Sequence, residues 1–139
     1  GVAPTSQLGL DEIYYQQSAI AVDPAPRGKT TRIHFGRLFG TRSGDKGGAA
    51  NCGVWAKTDA AYAFLESWLT AAEFKRLCPD MAPYEIDRYA MPNLRALNFY
   101  IKGVLGGGAA SNSRIDRQAK SLGEYLGAKL IDAPKVLVA

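Results

Sequence analysis

The sequence predicts an α+β fold, with two helices covering one face of an antiparallel sheet. Three observations carry this: several short stretches of period two, two longer stretches of helical period, and the order in which they alternate along the chain. At 139 residues, 47% hydrophobic and 22% charged, the chain has the length and composition of one globular domain.

Residues 1–29 read as an extended arm or linker, because VDPAPRGK sets two prolines and a glycine close together. The chain starts at Gly1 rather than Met, as expected for a piece of something longer. The folded domain is expected over 30–139. TRIHFGRLF (31–39) sets Ile33, Phe35 and Phe39 against His34, Gly36 and Leu38 and predicts a strand. GTRSGDKGG (40–48) reads as a loop. NCGVWAK (51–57) is short, apolar and bounded by breakers, which predicts a second strand. Thr58 or Asp59 caps a helix over about 60–77, with Tyr62, Leu65, Leu69, Ala72 and Leu77 inward, and CPDMAP ends it.

YEIDRYAM (84–91) alternates as an edge strand, and Pro92-Asn93 turns the chain. LRALNFYIKGVL (94–105) puts Leu97, Phe99 and Ile101 on one face and predicts a central strand. After GGGAASNS comes a helix over about 114–127, with Ser113 and Asp116 in capping-box positions and Ile115, Ala119, Leu122 and Leu126 inward. KLIDAPKVLVA supplies one or two final strands. Without its first strand the order is βαββαβ, the split βαβ or ferredoxin-like arrangement, so the fold expected is ferredoxin-like with an extra N-terminal strand.

Composition narrows the function classes. The net charge of +4 comes from 17 basic and 13 acidic residues, scattered rather than striped, which argues against nucleic acid and suits a small anionic ligand. No apolar run approaches the roughly 20 residues of a membrane helix. Cys52 and Cys78 form no CxxC pattern, so a reduced pair is expected and no metal site; His34, the only histidine, lies in a strand and reads as structural.

Two glycine-rich segments carry the candidate chemistry. In SGDKGG, Lys46 is followed by Gly47, so a Walker A loop is excluded; GGGAAS lacks the last glycine of a dinucleotide fingerprint. The first segment still concentrates Arg42, Ser43, Asp45 and Lys46. The second leads into a helix N-terminus bearing Ser111, Asn112, Ser113 and Arg114, where unpaired N–H groups favour anions. A structural role as turns remains open for both. Asp45 and Asp116 are the candidate general bases.

RSGDKGGAANCGV, MPNLRALNFYIKGVLGGG and SRIDRQAKSLGE together resemble the C-terminal ferredoxin-like domain of the acyclic terpene utilisation (AtuA) family and its stand-alone relatives. The likeness spans about Arg37 to Gly127. It implies a ferredoxin-like fold and cytoplasmic catabolism of branched acyl-CoA or terpenoid compounds. A larger AtuA-type N-terminal domain or subunit is the implied partner. The motif positions are Arg42, Ser43, Gly44, Asp45, Lys46, Gly47 and Asn51; Asn93, Arg95, Asn98 and Gly106, Gly107 and Gly108; and Arg114 and Asp116. Gly48, Ala49, Cys52, Ala109 and Ala110 depart from the family pattern.

Three functions follow as expectations. The first is an accessory binding or assembly domain that holds an anionic acyl-CoA-like ligand or completes a partner's site. Arg42, Lys46 and Arg114 would supply its charge, and Ser43, Asn98 and Ser113 its hydrogen bonds. The second is a structural module that forms homo-oligomers. The third is a small hydratase, isomerase or lyase with Asp45 or Asp116 as base. No cofactor is expected beyond a coenzyme A thioester as ligand, and no membrane or nucleic-acid partner.

Overall fold

A computed structural model describes residues 28–105 and 113–138, apart from the side chains of Lys46 and Ser113. The expected arm (save Gly28 and Lys29), the triple glycine at 106–108 and the cap at 111–113 lie outside the described residues, as does the side chain of Lys46.

Six strands and four helices follow one another as β1 (Thr30–His34), β2 (Phe39–Lys46), β3 (Ala49–Ala56), α1 (Asp59–Trp68), α2 (Ala71–Leu77), β4 (Ile86–Met91), β5 (Ala96–Ile101), α3 (Ser113–Lys120), α4 (Leu122–Gly127) and β6 (Leu130–Pro134). The main sheet is antiparallel in the order β2-β3-β5-β4, and β1 pairs with β6 in a second sheet of two strands. β5 is central and β4 an edge, as expected. The fold is α+β and ferredoxin-like, with one particular: β2 occupies the position beside β3, while β6 leaves the main sheet to pair with the N-terminal strand.

Alternation along each strand decides the two faces. Ala50, Cys52 and Val54 of β3, Leu97, Phe99 and Ile101 of β5, and Ala90 of β4 point to one face and are buried. All four helices pack there: α1 on β3, α2 on β4, and α3 and α4 on β2 and β3. Phe74 of α2 stacks on Phe99 at 4.4 Å between centroids, and Phe64 of α1 on Phe39 at 6.3 Å. Glu66 of α1 is buried opposite Arg88 of β4, whose Nη2 donates to the Glu66 carbonyl at 2.6 Å and lies 3.5 Å from Oε2.

Three expected boundaries are corrected. The strand over 31–39 breaks at Phe35–Arg37, a 3-10 turn that carries the chain from the small sheet to the large one. There Gly36 passes Gly127 so closely that a methyl on Gly36 would sit 3.1 Å from the Gly127 carbonyl. The helix over 60–77 divides at Leu69 because Thr70 is itself an N-cap, accepting the Glu73 N–H at 3.0 Å just as Thr58 accepts that of Ala61 at 3.1 Å. The helix over 114–127 divides at Ser121.

The largest correction concerns GTRSGDKGG. Residues up to Lys46 are strand, and only Gly47-Gly48 turn, with Gly47 at φ +62. Glycine, Asp and Lys are poor strand formers, so the pairing is held from outside. Gly123 of α4 lets the helix approach until a Cβ there would lie 3.1 Å from Thr41 Oγ1 and 3.3 Å from the backbone nitrogens of Arg42 and Ser43. At that range the Thr41 hydroxyl donates to the Gly123 carbonyl at 2.8 Å. The Ser43 hydroxyl donates to the Lys120 carbonyl at 3.1 Å and accepts the Gly123 N–H at 3.0 Å. Ser121 stands at the N-cap of α4, but its hydroxyl donates back to the Arg117 carbonyl at 2.7 Å and does not cap α4, so one hydroxyl from the strand caps the end of α3 and the start of α4 together.

Both thiols lie in this core. Burial pushes Cys52 up to about 12, with nearby Cys78 adding to it. Burial likewise raises Cys78 to about 12, against a smaller opposing influence of Lys129. Both are free.

Two predictions follow from this packing. Ser43→Ala should cost about 1–2 kcal/mol and Gly123→Ala about 1–3 kcal/mol in urea unfolding; a loss below 0.5 kcal/mol (roughly the surface-substitution range) for both would show that the splice between strand and helices carries no weight. The thiols set an alkaline limit. A thiol raised in the folded state stays protonated there while the unfolded chain ionises, so its contribution is complete below about pH 9 and fades toward pH 12. Stability should fall by on the order of 1 kcal/mol per pH unit per thiol in that window, and a Cys52→Ala/Cys78→Ala double variant should flatten the slope measured by urea midpoints.

Candidate functional site

Among the described residues no helix packs on the second face of the main sheet. Its residues form three rows across the four strands, set by the register. One row runs Gly40, Trp55, Ala96, Met91; the next Arg42, Gly53, Asn98, Tyr89; the third Gly44, Asn51, Tyr100, Asp87. None of these twelve is buried. An open cleft of about 640 Å³ lies over the first two rows and part of the third, bounded by Trp55, Met91 and Leu94 on one side and by Arg42, Gly44, Asn51 and Asn98 on the other.

Each row has its own chemistry. In the first, the Trp55 indole lies flat over Gly40, where any side chain would collide with it. Trp55 stays 40% exposed and Leu94, in the turn that precedes β5, 68%, so this border is apolar and wet. In the second, Gly53 opens a gap between Arg42 and Asn98. A Cβ on Gly53 would sit 3.7 Å from the Arg42 carbonyl and 3.8 Å from Asn98 Oδ1, ordinary contact distances. Among the described residues no carboxylate pairs with Arg42, and no hydrogen bond engages the side chains of Asn51 or Asn98. In the third, Asn51 leans over Gly44, with its Oδ1 3.1 Å from where a Cβ there would stand. Asp87, the carboxylate of this row, is paired with Lys102 at 3.0 Å, and Lys102 also meets Glu85 at 2.9 Å.

Of the residues the sequence nominated, the structure brings Arg42, Gly44, Asn51 and Asn98 together around the cleft. Ser43 touches the cleft's floor, yet its hydroxyl points to the helices and is spent on their caps. Arg95, in the left-handed region at φ 50, donates to Asp59 at 2.7 Å and to the Lys57 carbonyl at 3.2 Å, which ties the turn before β5 to the start of α1. Asn93 stands exposed in that turn. Arg114 donates to Asp80 at 2.8 Å, linking α3 to the turn after α2. Gly47 makes the hairpin turn.

Asp45 and Asp116, the candidate bases, do not line the cleft. Asp45 is exposed near the end of β2 on the helix side of the register, opposite Ala50, and Asp116 sits in the first turn of α3. Among the described residues the cleft is lined by no carboxylate, histidine or cysteine, and no cluster of three metal-ligating side chains occurs. His34 Nδ1 lies 3.0 Å from the Ala128 carbonyl, a structural contact. Leu105 donates its N–H to the Gly48 carbonyl at 2.8 Å, so the second glycine-rich segment departs from beside the first one's turn. Trp55, Gly53 and Met91 were missed by sequence reasoning. The signal available was the period-two alternation, which sets Trp55 and Gly53 with Asn51, opposite Cys52 and Val54.

The arrangement can therefore hold a polar head by one guanidinium and two carboxamides beside an apolar wall. A model of the AtuA ferredoxin-like domain matches residues 33–132 of the 139. No curated protein and no solved structure matches the chain. Among the described residues no helix is long and apolar enough to cross a membrane. The chain belongs to the AtuA ferredoxin-like domain family.

Proposed function

We propose that this domain is a non-catalytic accessory module of an AtuA-type protein, working through the open face of its sheet. It would hold an acyl group in the catabolism of branched acyl-CoA or acyclic terpenoid compounds, beside a larger AtuA-type domain or subunit. One observation carries the reading. Alternation sends the hydroxyls of Thr41 and Ser43 to the helices and leaves Arg42, Gly44, Asn51 and Asn98 together on the face where no described helix packs. An antiparallel sheet commonly leaves one polar face to water; what sets this face apart is the exposed Trp55 and Leu94 beside an Arg42 that no described carboxylate pairs.

The reading is non-catalytic because Asp45 and Asp116, the carboxylates an acyl-CoA hydratase or lyase would use as bases, stand away from the cleft. A polar head over Arg42 and Asn98 leaves the chain of an acyl group against Trp55, Ala96 and Met91. A pocket of several hundred Å³ suits a small ligand. The exposed Trp55 and Leu94 also favour a second reading, in which a second copy covers the same face.

Trp55 reports on both. In a Trp68→Phe background, 3-methylbutanoate (as the free acid or as its coenzyme A thioester) or the AtuA-type large domain should shift Trp55 emission to shorter wavelength, and Asn98→Ala should weaken the response at least tenfold in ligand or partner concentration. No shift with either would remove the accessory reading. A shift that depends only on the protein's own concentration, and disappears with Leu94→Asp in sedimentation, would replace it by self-assembly.

A further inference from the structure

We infer that the cleft selects a free carboxylate, so that its ligand is an aliphatic monocarboxylic acid rather than the phosphate-bearing tail of coenzyme A; this rests on the open face being the working surface. The argument starts from charge. Arg42 is exposed, is the one cation within the three rows among the described side chains, and has no carboxylate partner there, whereas Lys102 beyond the third row is already paired with Asp87 and Glu85. The only described carboxylate of the three rows, Asp87, is already neutralised by Lys102. A guanidinium offers a planar fork of donors that matches two carboxylate oxygens.

The carboxamides complete the match. Asn98 stands two strands from Arg42, roughly 10 Å between backbones at the usual strand spacing, with only Gly53 between them. A group of carboxylate size over Gly53 accepts from Arg42 on one side and, once the Asn98 carboxamide turns Nδ2 in place of Oδ1 toward Gly53, from that amide on the other. A coenzyme A tail carries several negative charges, for which one guanidinium is a poor counterpart. A thioester carbonyl is neutral and leaves the Arg42 charge unmatched.

Polarity then gives the direction of the ligand. Across the three rows the face changes from Asn51 and Asp87, through Arg42 and Asn98, to Trp55, Ala96 and Met91. A carboxylate over Gly53 therefore lays its hydrocarbon toward Trp55. Gly53 is the residue that decides specificity, because it keeps the seat of the carboxylate empty. A Cβ there meets nothing closer than 3.7 Å, so a small side chain can enter the seat without a backbone clash at its first atom.

The test titrates the full chain with hexanoate, its methyl ester and hexanoyl-CoA, following Trp55 emission in the Trp68→Phe background and heat by calorimetry. Hexanoate should bind at least tenfold more tightly than the ester. Arg42→Met should remove that preference. Gly53→Val should abolish hexanoate binding while its melting temperature stays within a few degrees of the parent's, which separates a filled site from an unfolded protein. Equal binding of acid and ester, or hexanoate binding indifferent to Arg42→Met, would overturn the inference. Binding of hexanoyl-CoA alone, lost in Asn98→Ala, would overturn the carboxylate while leaving the open face as the site. Binding of none of the three, with no Trp55 response to the large domain, would remove both.

Discussion

The structure depends on the contact between a glycine-poisoned strand and the helices behind it. β2 has the composition of a loop, with Gly40, Gly44, Asp45 and Lys46 among its eight residues. Its ladder to β3 runs unbroken from Phe39 opposite Ala56 to Lys46 opposite Ala49. What offsets the poor propensity is the approach that Gly123 allows and the two hydroxyls it brings within reach. Ser43 gives three polar groups a partner in one place: its own hydroxyl, the last carbonyl of α3 and an early N–H of α4. Orphan groups at helix ends are costly when enclosed, so strand and helix break stabilise each other, and neither is explained alone.

That contact sets the residues of the open side as well. Side chains alternate in a strand, so anchoring Thr41 and Ser43 to the helices sets Arg42 between them on the opposite face. The backbone of Arg42 is held on both flanks by bonds of 2.8 to 3.1 Å. The motif RSGDKGG thus does two unlike things at alternate positions. Its serine organises helices, and its arginine and first glycine furnish the cleft. A change at Ser43 would be felt at Arg42 without touching any ligand.

Much of this was legible from sequence where periodicity was clean. β5 reads directly from Leu97, Phe99 and Ile101, all fully buried, and β3 from Cys52 and Val54. Thr58 marked the start of α1 by its own capping chemistry. Legibility failed wherever a tertiary contact overrode local preference. Residues 40–46 lack the β-branched alternation of a strand because Gly40 and Gly44 carry no side chain and only Thr41 is β-branched, and the helix contact that compensates comes from 80 residues away. Thr70 looked like a helical interior position because nothing distinguishes a mid-helix threonine from a cap except the backbone bend. The end of the chain misled for a similar reason: β6 pairs with β1 across 100 residues at Arg32 and Asp132, a non-local choice that no window of sequence contains. For the site, the motif residues were found as a set, while their division between two faces required knowing that the segment is extended.

The remaining question is why a sheet would keep Gly40, Gly44 and Gly53 on its uncovered side. Glycine in a strand interior gives up packing and conformational restriction worth of order 0.5–1 kcal/mol relative to alanine. Gly40 recovers part of this, because the Trp55 ring takes the space its side chain leaves. Gly44 is overlain by Asn51 in the same way. Gly53 alone has no such occupant, although a larger residue would fit there at ordinary contact distances and raise strand propensity. Stability therefore argues for a side chain at Gly53 and against the glycine, and packing supplies no opposing reason. Among the described residues the empty position leaves room between the Arg42 guanidinium and the Asn98 carboxamide, and on the proposed reading that room is the seat of the ligand's carboxylate.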